Sequence, residues 1–375
     1  MAASNPPPAR HARLLLSLLT QPDEALGWSP ADWDLAVRAG RSAKLLGALH
    51  ARLSAAGMLA RIPQAAAQML ESDYRVSLQR AAMAGVELRA VAEALGDYDG
   101  PIVLLKGAAY AALGSRTGHG RIFEDVDLMV PRAHLQKVED ALIFAGWESE
   151  TTDAYDQRYY REWSHELPPL RFPERPMQLD VHHTIVPVTS RYRPDAQRLF
   201  DMAQPVEGTR FAVLHPVHRL LHAAAHVFAD SDCVSKLRDL VDIDCLAREW
   251  LEAPEAWMTA LEEARRAQLE RPLWYAIAVC RVWLHTPVPE VAEGPLAAAA
   301  PLAPLRWWMG ALFARTLPPP APEGPRHIAR SIAARLLNLR YLWQRMPPRL
   351  LAYHAFHKAI RAAKERLRPS SAAEE

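Results

Sequence analysis

The sequence predicts an α+β fold, in which a small mixed sheet lies between N-terminal and C-terminal helical regions. Three observations predict it. Residues 9–96 have helical composition, residues 102–185 alternate short apolar strands with helices, and segments after residue 212 are amphipathic at helical spacing. With 375 residues, the chain is long enough for two or three packed regions.

The first region, residues 1–98, is expected to be helical. Ser29-Pro30-Ala31-Asp32 has the form of a helix start, with a serine cap, a first-turn proline and an early acidic residue. Gln64 to Leu95 is rich in strong helix formers and has no proline. The turn-forming residues from Gly96 to Pro101 then predict a boundary.

The second region, residues 99–210, is expected to hold the sheet. Predicted strands cover Ile102–Leu105, Val126–Val130 and Met177–Ile185. A short helix is expected at Ala108–Leu113, and a second runs from Pro131 until Gly146 ends it. The polar and aromatic stretch Tyr155–Arg175 is interpreted as a loop or a peripheral ribbon.

Residues 211–317 are expected to form a C-terminal helical region. Its predicted helices are Pro216–Phe228, Cys233–Trp250, Ala253–Gln268 and Pro272–Leu284.

Residues 318–375 combine a proline-rich break with a basic amphipathic tail. Residues 326–375 hold eleven Lys or Arg and three Glu, a net charge of +8, which leaves −7 on residues 1–325. Such a tail can bind nucleic acid or an anionic membrane surface, or it can dock on the acidic body. We favour docking, because the tail's apolar face needs cover.

Composition excludes several classes of protein. No window of about 18 residues is apolar enough for a transmembrane helix, and the first apolar run is too short for a secretory signal, so a cytoplasmic protein is expected. The three cysteines, Cys233, Cys245 and Cys280, have no C-x-x-C spacing, which predicts neither a disulfide framework nor a cysteine zinc site.

Acidic residues inside apolar strands are the strongest functional signal. Asp125 and Asp127 leave one face of a strand together, and Asp180 lies in a later apolar run. Carboxylates in such places repel each other and lose hydration unless something binds them, and a divalent cation with oxygen ligands removes that difficulty. The alternative is a solvated acidic turn before a strand.

These residues resemble the DNA polymerase beta-like nucleotidyltransferase superfamily, in which a strand ending in glycine, a strand with Asp-x-Asp and a later acidic strand recur. The chain is similar in particular to a bacterial group called simply nucleotidyltransferase family proteins. The matching positions are Lys106-Gly107, Arg121, Asp125-Val126-Asp127, Asp180-Val181-His182-His183, His226 and Asp242-Ile243. His183 departs from that group, which often has tryptophan there.

The resemblance implies transfer of a nucleoside monophosphate from an NTP, such as ATP, to an acceptor with release of pyrophosphate. It implies Mg²⁺ (or Mn²⁺) as the cofactor, with Asp125 and Asp127 holding two ions. Asp180 would contact the ion nearest the acceptor and could accept its proton. The acceptor is open: a small molecule, a sugar phosphate, a protein or RNA.

The expected phosphate-binding residues are Lys106, Gly107, Ala108 and Arg121. Gly107 allows close backbone approach, and the start of the following helix offers free N–H groups to an anion. Arg121 and Lys106 are candidate phosphate partners, although a lysine at a strand end is commonly just solvated. The superfamily usually has serine or a second glycine where this chain has Ala108, so only backbone donors remain there.

Histidines give a weaker signal. His182 shares a strand face with Asp180 and is expected either in the pocket or hydrogen-bonded in the core. His226 and Asp242 are expected to line the cleft. His215, His218, His222 and His226 recur along one helix face, which is interpreted as a polar face packed near the active site rather than as a dedicated metal site.

Two other functions remain open. Glycosyltransferases also use Asp-x-Asp to hold a metal against a sugar nucleotide, although helices here occupy the place of their nucleotide-binding unit. A catalytically inactive binding protein that keeps the nucleotidyltransferase scaffold is favoured by Ala108.

Overall fold

The computed structural model describes residues 8–151, 153–321 and 328–367. Its strands are β1 (Val103–Leu104), β2 (Asp125–Met129), β3 (Glu148–Ser149), β4 (Leu170–Arg171), β5 (Gln178–His182), β6 (Gln204–Pro205) and β7 (Ala212–Val213). Its helices are α1 (Arg10–Thr20), α2 (Pro30–Ser42), α3 (Leu46–Ala55), α4 (Gln64–Ala94), α5 (Lys106–Leu113), α6 (Leu135–Phe144), α7 (Ala154–Trp163), α8 (Ala196–Asp201), α9 (Pro216–Phe228), α10 (Leu237–Trp250), α11 (Pro254–Arg266), α12 (Glu270–Leu284), α13 (Glu290–Ala298), α14 (Ala303–Thr316), α15 (Ile328–Arg345) and α16 (Pro348–Leu367).

The seven strands form one mixed sheet in the order β3-β4-β5-β2-β1-β7-β6. The central strands β2 and β5 are parallel, as are β1 and β7, and the other neighbouring pairs are antiparallel. Helices precede and follow this sheet in the chain. The predicted α+β class, a small mixed sheet flanked by helical regions, is confirmed.

One connected apolar core joins the sheet to the helices on both sides. It includes Leu49 of α3, Val126 and Leu128 of β2, Phe228 of α9 and Leu337 of α15. In β2 the apolar side chains alternate with Asp125 and Asp127, so the strand buries one face in this core and presents its carboxylates on the other. The boundaries proposed from the sequence at residues 98, 210 and 317 stay a prediction.

Local sequence explains where the helices begin. Ser29 and Asp32 form a reciprocal capping box at the start of α2, with Pro30 in the first turn, as predicted. Helix α4 runs to Ala94, close to the predicted end. Helix α9 has the predicted bounds, and His215 caps it by accepting the Val217 N–H.

The interpretation of Tyr155–Arg175 as a loop or ribbon was wrong over its first half, which is helix α7. Asp153 caps this helix by accepting the N–H groups of Tyr155 and Asp156. The helix is rich in aromatic and charged residues, and none of its residues is fully buried, so its sequence lacks the apolar stripe that reveals a helix. The two-residue strands β3, β6 and β7 were also not predicted, and β5 ends at His182 rather than at Ile185.

The basic tail docks on the body as far as it is described. Ala333 and Leu337 of α15 are buried, and Arg340 donates to the carbonyl of Phe228. Residues 322–327 of the proline-rich break and residues 368–375, like residues 1–7, lie outside the described part of the chain. Contact of the tail with nucleic acid or a membrane stays a prediction. Among the described residues, no helix has the length and apolar character that crossing a bilayer requires.

We expect Gly120→Ala to destabilise the protein strongly. Gly120 has a φ of +73°, and a Cβ there would lie 2.2 Å from the backbone carbonyl of Gly47 at the start of α3. The left-handed backbone should cost about 1–2 kcal/mol and the overlap about 1–3 kcal/mol more. The measurement is urea unfolding.

Gly208→Ala is the matched control for this variant. Gly208 has a φ of +72°, and a Cβ there would meet nothing within 4 Å. Gly208→Ala should therefore lower the free energy of unfolding only by the cost of the left-handed backbone. Equal losses of unfolding free energy in the two variants would contradict the close approach of Gly120 and Gly47.

Candidate active site

Three predicted carboxylates come together on the two central parallel strands. Asp127 of β2 is in direct register with Asp180 of β5, and Asp125 lies two residues before Asp127 on the same strand face. Asp127 is 2% exposed, whereas Asp125 and Asp180 are partly exposed. The site is therefore partly accessible to solvent at Asp125 and Asp180 and buried at Asp127.

The three carboxyl groups differ in their tendency to ionise. Burial, together with the charges of Asp127 and Glu166, raises the pKa of Asp180 to about 7. Burial and the charge of Asp127 also raise the pKa of Asp125. Burial opposes ionisation of Asp127 too, but the charge of Lys106 and the hydrogen bond from His182 outweigh it and hold the pKa of Asp127 well below its usual range.

Lys106 reaches this site from the junction of β1 and α5. Its Nζ donates to Asp127 Oδ1 at 2.9 Å. Its backbone has a φ of +39°, a conformation that is unfavourable for a residue with a side chain and is found mainly at functional or tightly constrained positions. Because α5 begins here, the first-turn N–H groups, including those of Gly107 and Ala108, point out of the helix start.

Arg121 is engaged in a buried ion pair. Its Nε donates to Asp242 Oδ2 of α10 at 3.0 Å, and its guanidinium lies 5.6 Å from the Tyr110 ring centre and 5.5 Å from that of Phe123. Gly107 makes room for it, because a Cβ at Gly107 would lie 2.7 Å from an Arg121 Nη atom. In this structure the glycine thus serves the packing of Arg121, and Arg121 connects α5 with α10.

The predicted histidines lie in different environments. His182 is buried, and its Nε2 lies 3.0 Å from Asp127 Oδ1. His226 Nε2 lies 3.3 Å from Lys236 Nζ, whereas Asp242 is bound to Arg121, so His226 and Asp242 are not paired with each other.

The four histidines of α9 do not share one site. His215 caps the helix, His218 lies 3.1 Å from Glu263, and His226 contacts Lys236. Burial holds the pKa of His222 well below its usual range, and the charges of Lys106 and His182 lower it further. The stripe is a polar face, of which His222 and His226 are the members influenced by the active-site charges.

Sequence reasoning missed Glu166 and His165. Both follow α7, and Glu166 forms an isolated antiparallel bridge with His182 of β5. Its charge contributes to the raised pKa of Asp180. The signal in the sequence is only a Ser-His-Glu triplet in a stretch interpreted as a loop, so nothing there points to the sheet.

Comparison with known proteins identifies a family. A family model described as uncharacterised nucleotidyltransferase matches residues 29–285, a range that contains β1 to β7 and every carboxylate of the site. No curated protein matches the chain.

We expect Asp180→Asn to stabilise the metal-free protein at pH 8. A carboxyl group whose folded-state pKa is about 7 destabilises the fold once the unfolded chain ionises near pH 4, and this penalty grows until about pH 7. The variant should gain on the order of 4 kcal/mol at pH 8 and nothing below about pH 4. Urea unfolding in chelator across this range measures it.

Asp201→Asn, at an exposed position of α8, controls for the general loss of a carboxylate. A gain for Asp180→Asn that does not change with pH, or no gain at pH 8, would contradict the electrostatic account of the site.

Proposed function

The chain belongs to this family of uncharacterised nucleotidyltransferases, and on that basis we propose that it transfers a nucleoside monophosphate from an NTP to an acceptor, releasing pyrophosphate. The observation that carries the proposal is the register of Asp127 with Asp180, with Asp125 on the same face. Three acidic side chains from two strands thereby face one place.

The donor set suits a hard divalent cation. Asp125, Asp127 and Asp180, with Glu166 nearby, bring several negative charges together beside Lys106, and burial together with the charges of Asp127 and Glu166 raises the pKa of Asp180 to about 7. Carboxylate oxygens are the ligands that Mg²⁺ or Mn²⁺ prefers. We assign Asp125, Asp127 and Asp180 as the residues that would hold the metal, which when bound would polarise the phosphate and stabilise the charge of the leaving group.

The chain's own groups account for the other parts of the reaction. Asp180 is placed to accept the proton of the acceptor's nucleophilic group, which then forms a bond to the α-phosphorus while the bond to pyrophosphate breaks. Asp180 is suited to this proton transfer because it is partly exposed. Asp127 is less suited, because its contacts with Lys106 and His182 keep it ionised and so make it a poor proton acceptor.

Lys106 and the start of α5 are the groups we assign to the phosphates. The Lys106 ammonium lies beside Asp127, and the N–H groups of Gly107 and Ala108 belong to the first turn of the same helix. Arg121 has a different role in this proposal. Its guanidinium is already bound to Asp242, so it supports the walls of the site rather than the nucleotide.

The acceptor is best found by labelling. Full-length protein incubated with each α-labelled NTP and a cell extract should pass label to a specific component, whereas γ-labelled NTP should release labelled pyrophosphate. Fractionation of the labelled product then distinguishes a small molecule, a sugar phosphate, a protein and RNA.

We expect Asp125→Asn, Asp127→Asn and Asp180→Asn each to lower label transfer by about 10³-fold or more, because each removes charge that the transition state requires. The control is Asp99→Asn, whose side chain is 92% exposed and lies outside the site. Transfer that survives all three substitutions would exclude this site as the catalytic centre.

We expect Lys106→Met to weaken NTP binding by about tenfold or more, because it removes a charge-assisted hydrogen bond to phosphate. The same variant should bind Mg²⁺ more tightly without nucleotide, because Asp127 loses its ammonium partner. Lys44→Met is a matched control, since Lys44 also has a positive φ but pairs with Glu124. Isothermal titration measures both affinities, and a parallel loss of both would contradict the assignment.

The same titrations separate the two other functions. Metal-dependent NTP binding that disappears in Asp125→Asn supports nucleotidyl transfer. Preference for a UDP-sugar indicates a glycosyltransferase, and absence of binding to any of these nucleotides indicates an inactive scaffold.

A further inference from the structure

A cluster of histidine and glutamate side chains adjoins the carboxylates, since His182 Nε2 lies 3.0 Å from Asp127 Oδ1. His165 and Glu166 follow α7, and His182 ends β5. Within the described ranges, these three residues form a group in which one ligand atom from each lies within 4.8 Å of the others. The backbone fixes them, because the His183 N–H donates to the His165 carbonyl and the Leu167 N–H donates to the Val181 carbonyl, each at 2.8 Å.

The distances within the cluster are close to those around a bound transition metal. His182 Nδ1 lies 3.5 Å from Glu166 Oε2, and His165 Nε2 lies 3.8 Å from the same oxygen. Ligands of a tetrahedral zinc ion at about 2.0–2.1 Å are separated by about 3.4 Å. The Glu166 oxygen is therefore within a few tenths of an ångström of the required separation from each histidine, and the ligand atoms of the two histidines lie within 4.8 Å of each other.

A buried polar atom in this cluster makes no hydrogen bond. His182 is 1% exposed, and its Nδ1 atom is inaccessible, has no hydrogen-bond partner and lies 3.5 Å from Glu166 Oε2. Leaving such an atom without a hydrogen bond costs about 1–3 kcal/mol, and a metal ion held between His182 Nδ1 and Glu166 would remove that cost.

We propose that His165, Glu166 and His182 bind a transition-metal ion of the zinc class, separate from the Mg²⁺ assigned to the aspartates. Two imidazoles with one carboxylate are typical of zinc and unlike the all-oxygen sets of magnesium. Asp230 adjoins the cluster, since its Oδ2 lies 3.6 Å from His165 Nε2, but it is outside the group of three and would have to move to supply a fourth ligand.

His182 connects this ion to the aspartate site. With the metal on Nδ1, its Nε2 must carry the proton and donate to Asp127 Oδ1, which lies 3.0 Å away. A metal-bound histidine whose other N–H is held by a carboxylate is the usual arrangement in metalloproteins. The ion thus acts as a positioning element, because it fixes the tautomer of His182 and, through it, the orientation of Asp127.

To test this, chelator-treated, full-length protein is titrated with Zn²⁺ in excess Mg²⁺. Calorimetry monitors the titration, and metal analysis measures the bound zinc. We expect one equivalent of tight binding. Co²⁺ in place of Zn²⁺ should give the intense visible absorption of a four-coordinate site. His165→Ala and Glu166→Gln should each weaken Zn²⁺ binding by at least about tenfold and diminish the Co²⁺ spectrum.

Two controls make the result specific. His218→Gln alters a buried histidine of α9 that lies outside the cluster and is paired with Glu263, so this variant should bind Zn²⁺ normally. Asp125→Asn should keep Zn²⁺ binding while losing nucleotidyl transfer, so this proposal and the proposed function fail separately. Circular dichroism checks that each variant is folded. If His165→Ala is not folded, Glu166→Gln still tests the site, because it keeps the size of a partly exposed side chain.

The proposal is overturned if wild-type protein binds no stoichiometric Zn²⁺ in the presence of Mg²⁺. It is also overturned if folded His165→Ala and Glu166→Gln bind Zn²⁺ as wild type does, or if His218→Gln loses as much affinity as they do.

Discussion

The parallel pairing of β2 with β5 is the constraint on which the site depends. It places Asp127 beside Asp180 at the distance of neighbouring strands, about 5 Å, with the carboxylates on one face. Two carboxylates at that distance, one buried and one partly exposed, disfavour each other's ionisation. The sheet accepts this cost because the opposite faces of both strands bury Val126, Leu128, Leu179 and Val181 in the core. Apolar packing on one face of the strands therefore offsets the electrostatic repulsion between the carboxylates on the other face.

The elements around these strands supply more positive charge and hydrogen-bond donors to Asp127 than to Asp180. Lys106 and His182 both approach Oδ1 of Asp127, the most buried carboxylate. In the described part of the chain, the hydrogen bond to the Asp180 side chain comes from the amide of Gln178, at 3.1 Å. One carboxylate is thus held ionised, while its neighbour can exchange a proton near neutral pH. This difference within a pair of like groups is how acid and base roles are separated in one site.

The sequence predicted the parts of this arrangement that depend on period and composition. Alternation of acidic and apolar residues in Asp125–Met129 placed Asp125 and Asp127 on one face, and the apolar run around Asp180 predicted a strand. The register that puts Asp180 beside Asp127 arises from strand pairing over 50 residues apart in sequence, so periodicity could not supply it. The partners of Arg121 and His226 are likewise set by how α10 and α9 pack. The assignment of Arg121 to phosphate considered its donors but not Asp242, which already accepts from it.

Helix α15, in the basic tail, takes part in the same charge network. Arg345 Nη1 lies 3.3 Å from Asp230 Oδ1, while the other oxygen of Asp230 faces His165. Thr189, which follows β5 in the chain, donates to the Arg345 carbonyl and so fixes the end of α15. Removing a buried cation from Asp230 would leave an uncompensated carboxylate next to the His165 and Glu166 cluster, which is costly in a dry environment. Arg345 of the basic tail is therefore joined to the body at Asp230, beside His165, and this contact comes from a helix that lies beyond the matched family range, which ends at residue 285.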